Sequence, residues 1–212
     1  LISAKTDPDA GAHGISTFLV EADREGLSHG RHEDKMGLRT SNTCDLILND
    51  VRVPADHLVG AEGDGFKIAM SGLDVSRPFM ATIAVGMMQR ALDEAALYAL
   101  QREQFGRPIF EFQMVQDMLA RMSAKVVACR CLVQHTMKLV DEEQDVQKDG
   151  AITKQFVTDM LQDVVSDAVQ VMGGNGYTKE YPVEKIMRDA KVFQIMEGTN
   201  QIQSIVIARR LK

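Results

Sequence analysis

Cysteine is scarce in this 212-residue chain, with Cys44, Cys129 and Cys131 the only three. Three thiols make no disulfide framework and suit a reducing compartment. Cys129 and Cys131 stand two apart in a helical stretch, so their side chains leave on different faces. Among His13, His29, His32, His57 and His135 there is no HExxH motif, and no metal site is expected. An excess of positive charge is also lacking. The formal net charge of −6 removes the electrostatic case for nucleic acid or an anionic membrane surface. The longest uncharged apolar-rich stretch, Pro78 to Gln89, is too short to cross a bilayer. Leu1 to Gly11 has neither the basic start nor the apolar core of a signal peptide. Internal repeats and low-complexity tracts are absent.

What remains is ordinary globular material, 45% apolar and 25% charged, long enough for one good core or two modest ones. The thirteen methionines read as gap-fillers of a core. Residues 1 to about 60 read as β structure with loops. Ile15–Val20 is a short strand. Cys44–Val53 alternates around Leu46, Leu48, Val51 and Val53, with a bulge expected near Asn49-Asp50 and a stop at Pro54. The loop Gly60-Ala61-Glu62-Gly63-Asp64-Gly65 marks a domain boundary. Beyond it the pattern is helical: Phe66 to Ser76, then a second helix opened by Pro78 and running to about Gln101. Phe112 to Glu143 follows, with Met114, Met118, Met122 and Val126 on one stripe. Asp141 to Gly150 reads as a loop. Ile152 to Met172, Val183 to Val192 and Thr199 to Leu211 complete the helices. The expected fold is α+β: part of an antiparallel β domain over 1–60, then an up-down helical bundle over 61–212.

One run concentrates chemistry. Phe193-Gln194-Ile195-Met196-Glu197-Gly198-Thr199-Asn200-Gln201-Ile202-Gln203 sets a carboxylate after an apolar stretch and before a glycine, followed by uncharged hydrogen-bonding side chains. Partial desolvation there would strengthen Glu197 as a base toward a carbon acid; taken alone, it reads more readily as a surface acid near a helix start. Gly173-Gly174-Asn175-Gly176 follows a helix and reads as a cap and tight turn. It is no dinucleotide fingerprint, because it closes a helix rather than opening one. Glycine-rich backbone can nevertheless approach a pyrophosphate. Arg102 reads as a helix-end cation, and Arg77 as an ion-pair partner of Asp74 three residues back.

The ordered set Met36-Gly37-Leu38-Arg39-Thr40-Ser41, Asp50-Val51-Arg52-Val53-Pro54, Arg102-Glu103-Gln104-Phe105-Gly106, Phe112-Gln113, Gln170-Val171-Met172-Gly173-Gly174-Asn175-Gly176-Tyr177, Tyr181-Pro182-Val183-Glu184-Lys185, Arg188-Asp189-Ala190-Lys191 and Glu197-Gly198-Thr199 resembles the acyl-CoA dehydrogenase family of flavoenzymes. The resemblance covers almost the whole chain. It implies FAD as cofactor, an acyl-CoA substrate oxidised to a trans-2-enoyl-CoA, and Glu197 as the base that takes the α proton. Thioester oxygen would be held by the Glu197 backbone N–H and a flavin ribityl hydroxyl. It further implies FAD contacts from Arg102, Gln104 and Phe105, with Phe112 and Gln113, and from Gln170, Gly173 and Gly174, these across a subunit boundary. Thr199, Asn200 and Gln201 would hold FAD within the subunit, Thr199 doubling as a helix N-cap. Asp74, Arg77, Gly198 and Arg209 are the implied contacts to the CoA ester. Met196 stands where many relatives carry an aromatic residue, which leaves acyl-chain selectivity open.

By the same resemblance, electrons would pass to an electron-transfer flavoprotein. The assembly would be a homo-oligomer, a dimer of dimers, or a split-subunit hetero-oligomer. The compartment would be the cytoplasm of a bacterium or the mitochondrial matrix of a eukaryote. An acyl-CoA oxidase, an enoyl-CoA reductase, or a non-catalytic helical subunit completing a partner's flavin site are the rival expectations. Leu1 corresponds to the interior of the family's β domain, so a fragment, a proteolytic product or one subunit of a split enzyme is expected.

Overall fold

A computed structural model describes residues 1–212. The chain forms two compact units, Leu1–Lys35 with Arg39–Leu73, and Met36–Leu38 with Asp74–Lys212. The first holds five short strands: β1 (Ile2–Lys5), β2 (Ile15–Phe18), β3 (Leu27–His29), β4 (Leu46–Leu48) and β5 (Leu58–Val59). They pair antiparallel as a β1-β2-β5 sheet and a separate β3-β4 ribbon. The centre of the three-stranded sheet is polar but satisfied. Buried Ser16 and Thr17 of β2 hydrogen-bond Thr6 at 2.8 Å and Ser3 at 2.9 Å.

Two strand expectations need correction. Ile15–Val20 ends at Phe18, where the Leu19 N–H turns to the His57 carbonyl at 2.9 Å. The run Cys44–Val53 contributes only Leu46–Leu48. Asp50 adopts a left-handed φ of 49° and the Asn49 N–H bonds the Gly26 carbonyl at 2.9 Å, so the chain leaves the ladder before Val51. β1, lacking any alternation, was not expected.

Helix α1 (Gly65–Gln101) is continuous, where two segments were expected. Pro78 lies inside it rather than opening a new helix. Its ring nitrogen leaves the Asp74 carbonyl without the usual i−4 donor, which interrupts one rung without ending the helix. Alanines dominate the buried stripe that follows: Ala81, Ala84, Ala91, Ala95 and Ala99 are fully buried with Met88. Their spacing of three to four residues is that of one helix face, and they join the hydrophobic core with buried residues of the later helices.

After α1 the chain makes a hairpin of β6 (Glu103–Gln104) and β7 (Arg107–Pro108). Its tip, Phe105 at φ 53° and Gly106 at φ 77°, has both central residues in the left-handed region, as two-residue hairpins favour. Then come α2 (Gln113–Asp141), α3 (Gln147–Met172), α4 (Pro182–Ala190) and α5 (Asn200–Arg209), with α3 packed on α2, α4 and α5. The expected loop over 141–150 is shorter, because α3 already starts at Gln147. On α2 the inward face is Leu119, Met122, Val126, Cys129 and Val133. Met114, assigned to that stripe from its spacing, is 84% exposed in the first turn. No helix is long and apolar enough to cross a membrane.

Met36–Leu38 is pinned to α4. Leu38 N–H donates to Asp189 Oδ1 at 2.7 Å and Arg188 donates to the Met36 carbonyl at 2.9 Å. A Cβ on Gly37 would lie 2.5 Å from the Arg188 carbonyl oxygen and 2.7 Å from Asp189 Cα. Only glycine fits so close to another backbone.

Candidate active site

The turn joining the last short helical segment to α5 carries Glu197 at φ 57° and Gly198 at φ 86°. A residue with a Cβ in the left-handed region is strained and persists where its surroundings hold it. The holding groups are identifiable. Gln203, fully buried, donates from Nε2 to the Glu197 carbonyl at 3.2 Å and to the Gly198 carbonyl at 2.9 Å. Lys154, also fully buried, donates to the Gly198 carbonyl at 2.9 Å and to Asn200 Oδ1 at 2.8 Å. Thr199 caps α5, its hydroxyl oxygen accepting from the Ile202 N–H at 3.4 Å.

The Glu197 carboxylate meets α1. Ser76 Oγ donates to Glu197 Oε2 at 2.6 Å, the short distance of a charge-assisted bond. Arg77, 5% exposed, reaches the Glu197 carbonyl with Nε at 3.4 Å and Asp74 Oδ1 with Nη1 at 2.7 Å. Asp74 and Arg77 therefore form the ion pair that their spacing suggests, and the pair is joined to the Glu197 turn. The interrupted rung at Pro78 lies on the same stretch of helix. Gly150 of α3 packs against it, and a Cβ there would stand 3.1 Å from the Asp74 carbonyl oxygen. Gly198 is in this cluster through its backbone. Arg209 is exposed at the end of α5 and forms no hydrogen bond or ion pair with this cluster.

A second group surrounds a cleft of about 300 Å³ lined by Tyr98, Arg102, Gln104, Ile109, Gly173, Gly174 and Asn175 among others. Asn175 donates to the Tyr98 hydroxyl at 2.9 Å. A Cβ built on Gly173 or Gly174 would meet nothing within 4 Å, so side chains there would fill the space that their bare backbone leaves open. A guanidinium, an amide and accessible glycine backbone suit a diphosphate-bearing cofactor. Phe105, 93% exposed at the hairpin tip, contacts Phe112 edge-on at 6.1 Å. Arg107 stacks on the Phe112 ring at 4.3 Å. Gln113 and Gln170 are exposed, outside the lining of that cleft.

A third cleft, about 350 Å³, takes in Thr199, Asn200 and Gln201 with Gln155, Asp159, Lys191 and Gln194. The Asn200 side chain is engaged internally. Its amide donates to Thr158 and Asp159 at 2.9 and 2.8 Å, and its oxygen accepts from Lys154. Thr199 and the exposed Gln201 are better placed to meet a ligand. A cleft of about 480 Å³ around Arg121, Lys125, Asp163 and Asp167 contains no candidate residue.

Sequence reasoning missed Ser76 and Lys154, and gave Gln203 only as one of the hydrogen-bonding side chains that follow Glu197. Lys154 left a trace: it occupies the buried stripe of α3 between Ala151 and Val157, where a lone cation demands an explanation. Burial pushes its ammonium down to a pKa of about 8; Asp159 and Glu197 favour the charged form and Arg77 opposes it.

Residues 63–212 match the family model described as acyl-CoA dehydrogenase, C-terminal domain. The chain belongs to the acyl-CoA dehydrogenase family. Within it, the chain is 46% identical over 211 residues to the probable acyl-CoA dehydrogenase fadE25 of Mycobacterium leprae (strain TN), covering 99% of this chain and 54% of that protein. It is 42% identical over 211 residues to the caffeyl-CoA reductase-Etf complex subunit CarC of Acetobacterium woodii, covering 100% of this chain and 56% of that one. The butyryl-CoA dehydrogenase structure from Megasphaera elsdenii superposes with a TM-score of 0.97 at 44% identity, over 99% of this chain and 55% of that one. The chain thus spans about half the length of the relatives it matches. The fold of an antiparallel β region followed by a helical bundle is the acyl-CoA dehydrogenase fold.

Proposed function

We propose that this chain supplies the base, and part of the flavin and thioester sites, of an FAD-dependent acyl-CoA dehydrogenase forming a trans-2-enoyl-CoA. The observation that carries the reading is the Glu197 carboxylate, held on the Ser76 hydroxyl at 2.6 Å in a left-handed turn backed by buried Arg77. A base for a weak carbon acid must be aimed, and these contacts aim it. Glu197 accepts the α proton of the thioester. The Ser76 hydroxyl fixes one carboxylate oxygen, leaving Oε1 for the substrate. The Glu197 N–H serves the thioester oxygen, where negative charge develops. Arg77 and Asp74 border the thioester end, with Gly198 beside them. Arg102, Gln104, Gly173 and Gly174, with Phe105, would hold FAD across a subunit boundary, while Thr199 and Gln201, in the other cleft, would hold FAD within the subunit. FAD bound there would supply the acceptor for the hydride leaving the β carbon, and an electron-transfer flavoprotein would be the next acceptor in this reading.

The reverse direction, reduction of an enoyl-CoA, is a second reading, supported by the 42% identity to a subunit named for caffeyl-CoA reduction in an Etf complex. The same base would then return the α proton as an acid. Glu197→Gln tests both. It is expected to retain flavin and acyl-CoA binding while turnover falls about 10²- to 10⁴-fold, the worth of a general base. Parent-like turnover in that variant refutes the assignment.

A further inference from the structure

Lys154 is a fully buried cation that the proton-transfer chemistry does not use. Its side chain is fully buried, and its hydrogen bonds go to two neutral oxygens, the Gly198 carbonyl and Asn200 Oδ1. No carboxylate lies within ion-pairing distance. A buried ammonium satisfied in this way is expensive compared with an apolar side chain, and the lowered pKa of about 8 reflects that cost. The two oxygens it joins flank Thr199, the cap of α5, and one belongs to the residue after the base. Gln203 reaches the same carbonyl at 2.9 Å from α5, so Gly198 oxygen is gripped from two helices. Asn200 passes the grip on to Thr158 and Asp159 of α3.

We propose that Lys154 is a positioning residue for the base: by clamping the Gly198 carbonyl to α3, it holds the left-handed Glu197-Gly198 turn that aims the carboxylate at Ser76. The catalytic part of this inference rests on the dehydrogenase reading; the clamp itself does not. Lys154→Met removes both donors while keeping the chain's length and apolar volume. Lys154→Gln keeps a donor without the charge, and guards against a Met variant that fails to fold.

The test is hydrogen exchange on the purified full chain without substrate, followed peptide by peptide, together with kcat and KM on an acyl-CoA. In Lys154→Met, exchange across Phe193–Gln203 should rise on the order of tenfold, the worth of one charge-assisted hydrogen bond, while α2 and α4 stay as in the parent. Lys154→Gln should fall between the two. Turnover should drop with KM near the parent value, because aim is lost and binding is not. Parent-like exchange over Phe193–Gln203 in both variants overturns the clamp, and so does a rise spread evenly over all helices, which marks a general packing role. A local rise with unchanged kcat refutes the positioning role. Because exchange needs neither flavin nor thioester, failure of Glu197→Gln to lower turnover would sink the dehydrogenase reading and leave the clamp standing.

Discussion

Glu197 illustrates how a single residue's conformation is secured by groups far away in sequence. Its φ of 57° and that of Gly198 at 86° form a consecutive left-handed pair. For the second position this is tolerable only without a Cβ. A Cβ at Gly198 would also stand 2.9 Å from Gln203 Nε2, the atom that bonds both carbonyls of the turn. Gly198→Ala should therefore destabilise the protein by about 1–2 kcal/mol. The thermal midpoint should drop by about 2–4 °C per kcal/mol, as for a protein of this size. Turnover should fall more steeply than stability explains. A calorimetric midpoint equal to the parent's would mean that the turn adapts. The Thr199 cap was legible in the sequence because its signal is local, a cap three residues before its donor, whereas Glu197 was singled out by the family resemblance, its local signal alone reading more readily as a surface acid. Ser76 was not, since it meets Glu197 across 121 positions and sits unmarked among ordinary helical residues.

At the scale of elements, periodicity served where burial is one-sided and failed where the backbone departs from it. The long helices α2 and α3 follow their apolar stripes. The short strands leave too few residues for alternation to be read, and β4 presents three consecutive half-exposed residues, Leu46, Ile47 and Leu48 at 52%, 50% and 48%. α1 was divided at Pro78 because proline more often starts a helix than interrupts one. What overrides that preference is packing: Pro78 is buried and Gly150 of α3 fits against the carbonyl that the ring leaves unbonded. The interruption lies two residues beyond Ser76. Pro78→Ala restores a donor for the Asp74 carbonyl and removes a residue that ordinarily costs a helix interior about 3 kcal/mol. The denaturant midpoint should hold or rise, while turnover drops roughly tenfold as Ser76 and Arg77 shift against Glu197. Parent-like turnover with a raised midpoint would show that the interrupted rung is dispensable for the site.

For the molecule as a whole, Lys154 couples the site to pH through the stability of the fold. Its pKa falls from 10.5 to about 8 on folding, so between those values the unfolded chain binds more protons at this position than the folded one does. Stability from this group must then rise with pH across that window. Below pH 8 the full burden of the buried charge is present, and it is relieved as the ammonium loses its proton in the fold but not yet in the unfolded chain. The opposite sign would hold for a lysine stabilised by a partner carboxylate, which Lys154 does not have in hydrogen-bonding range. Other groups titrate in the same range, notably Cys129, whose burial pushes its thiol up to about 11. The useful quantity is therefore the difference in unfolding free energy between the parent and Lys154→Met, measured by denaturant titration from pH 7 to 10.5. That difference should move in the parent's favour as pH rises from about 8, and stay flat between pH 7 and 7.5. A flat difference throughout would mean that the ammonium reaches water in the folded state. A difference moving against the parent would mean that its charge is stabilised rather than tolerated. The predicted slope makes the lysine a site where stability at neutral pH is given up to keep a cation beside the Glu197-Gly198 turn.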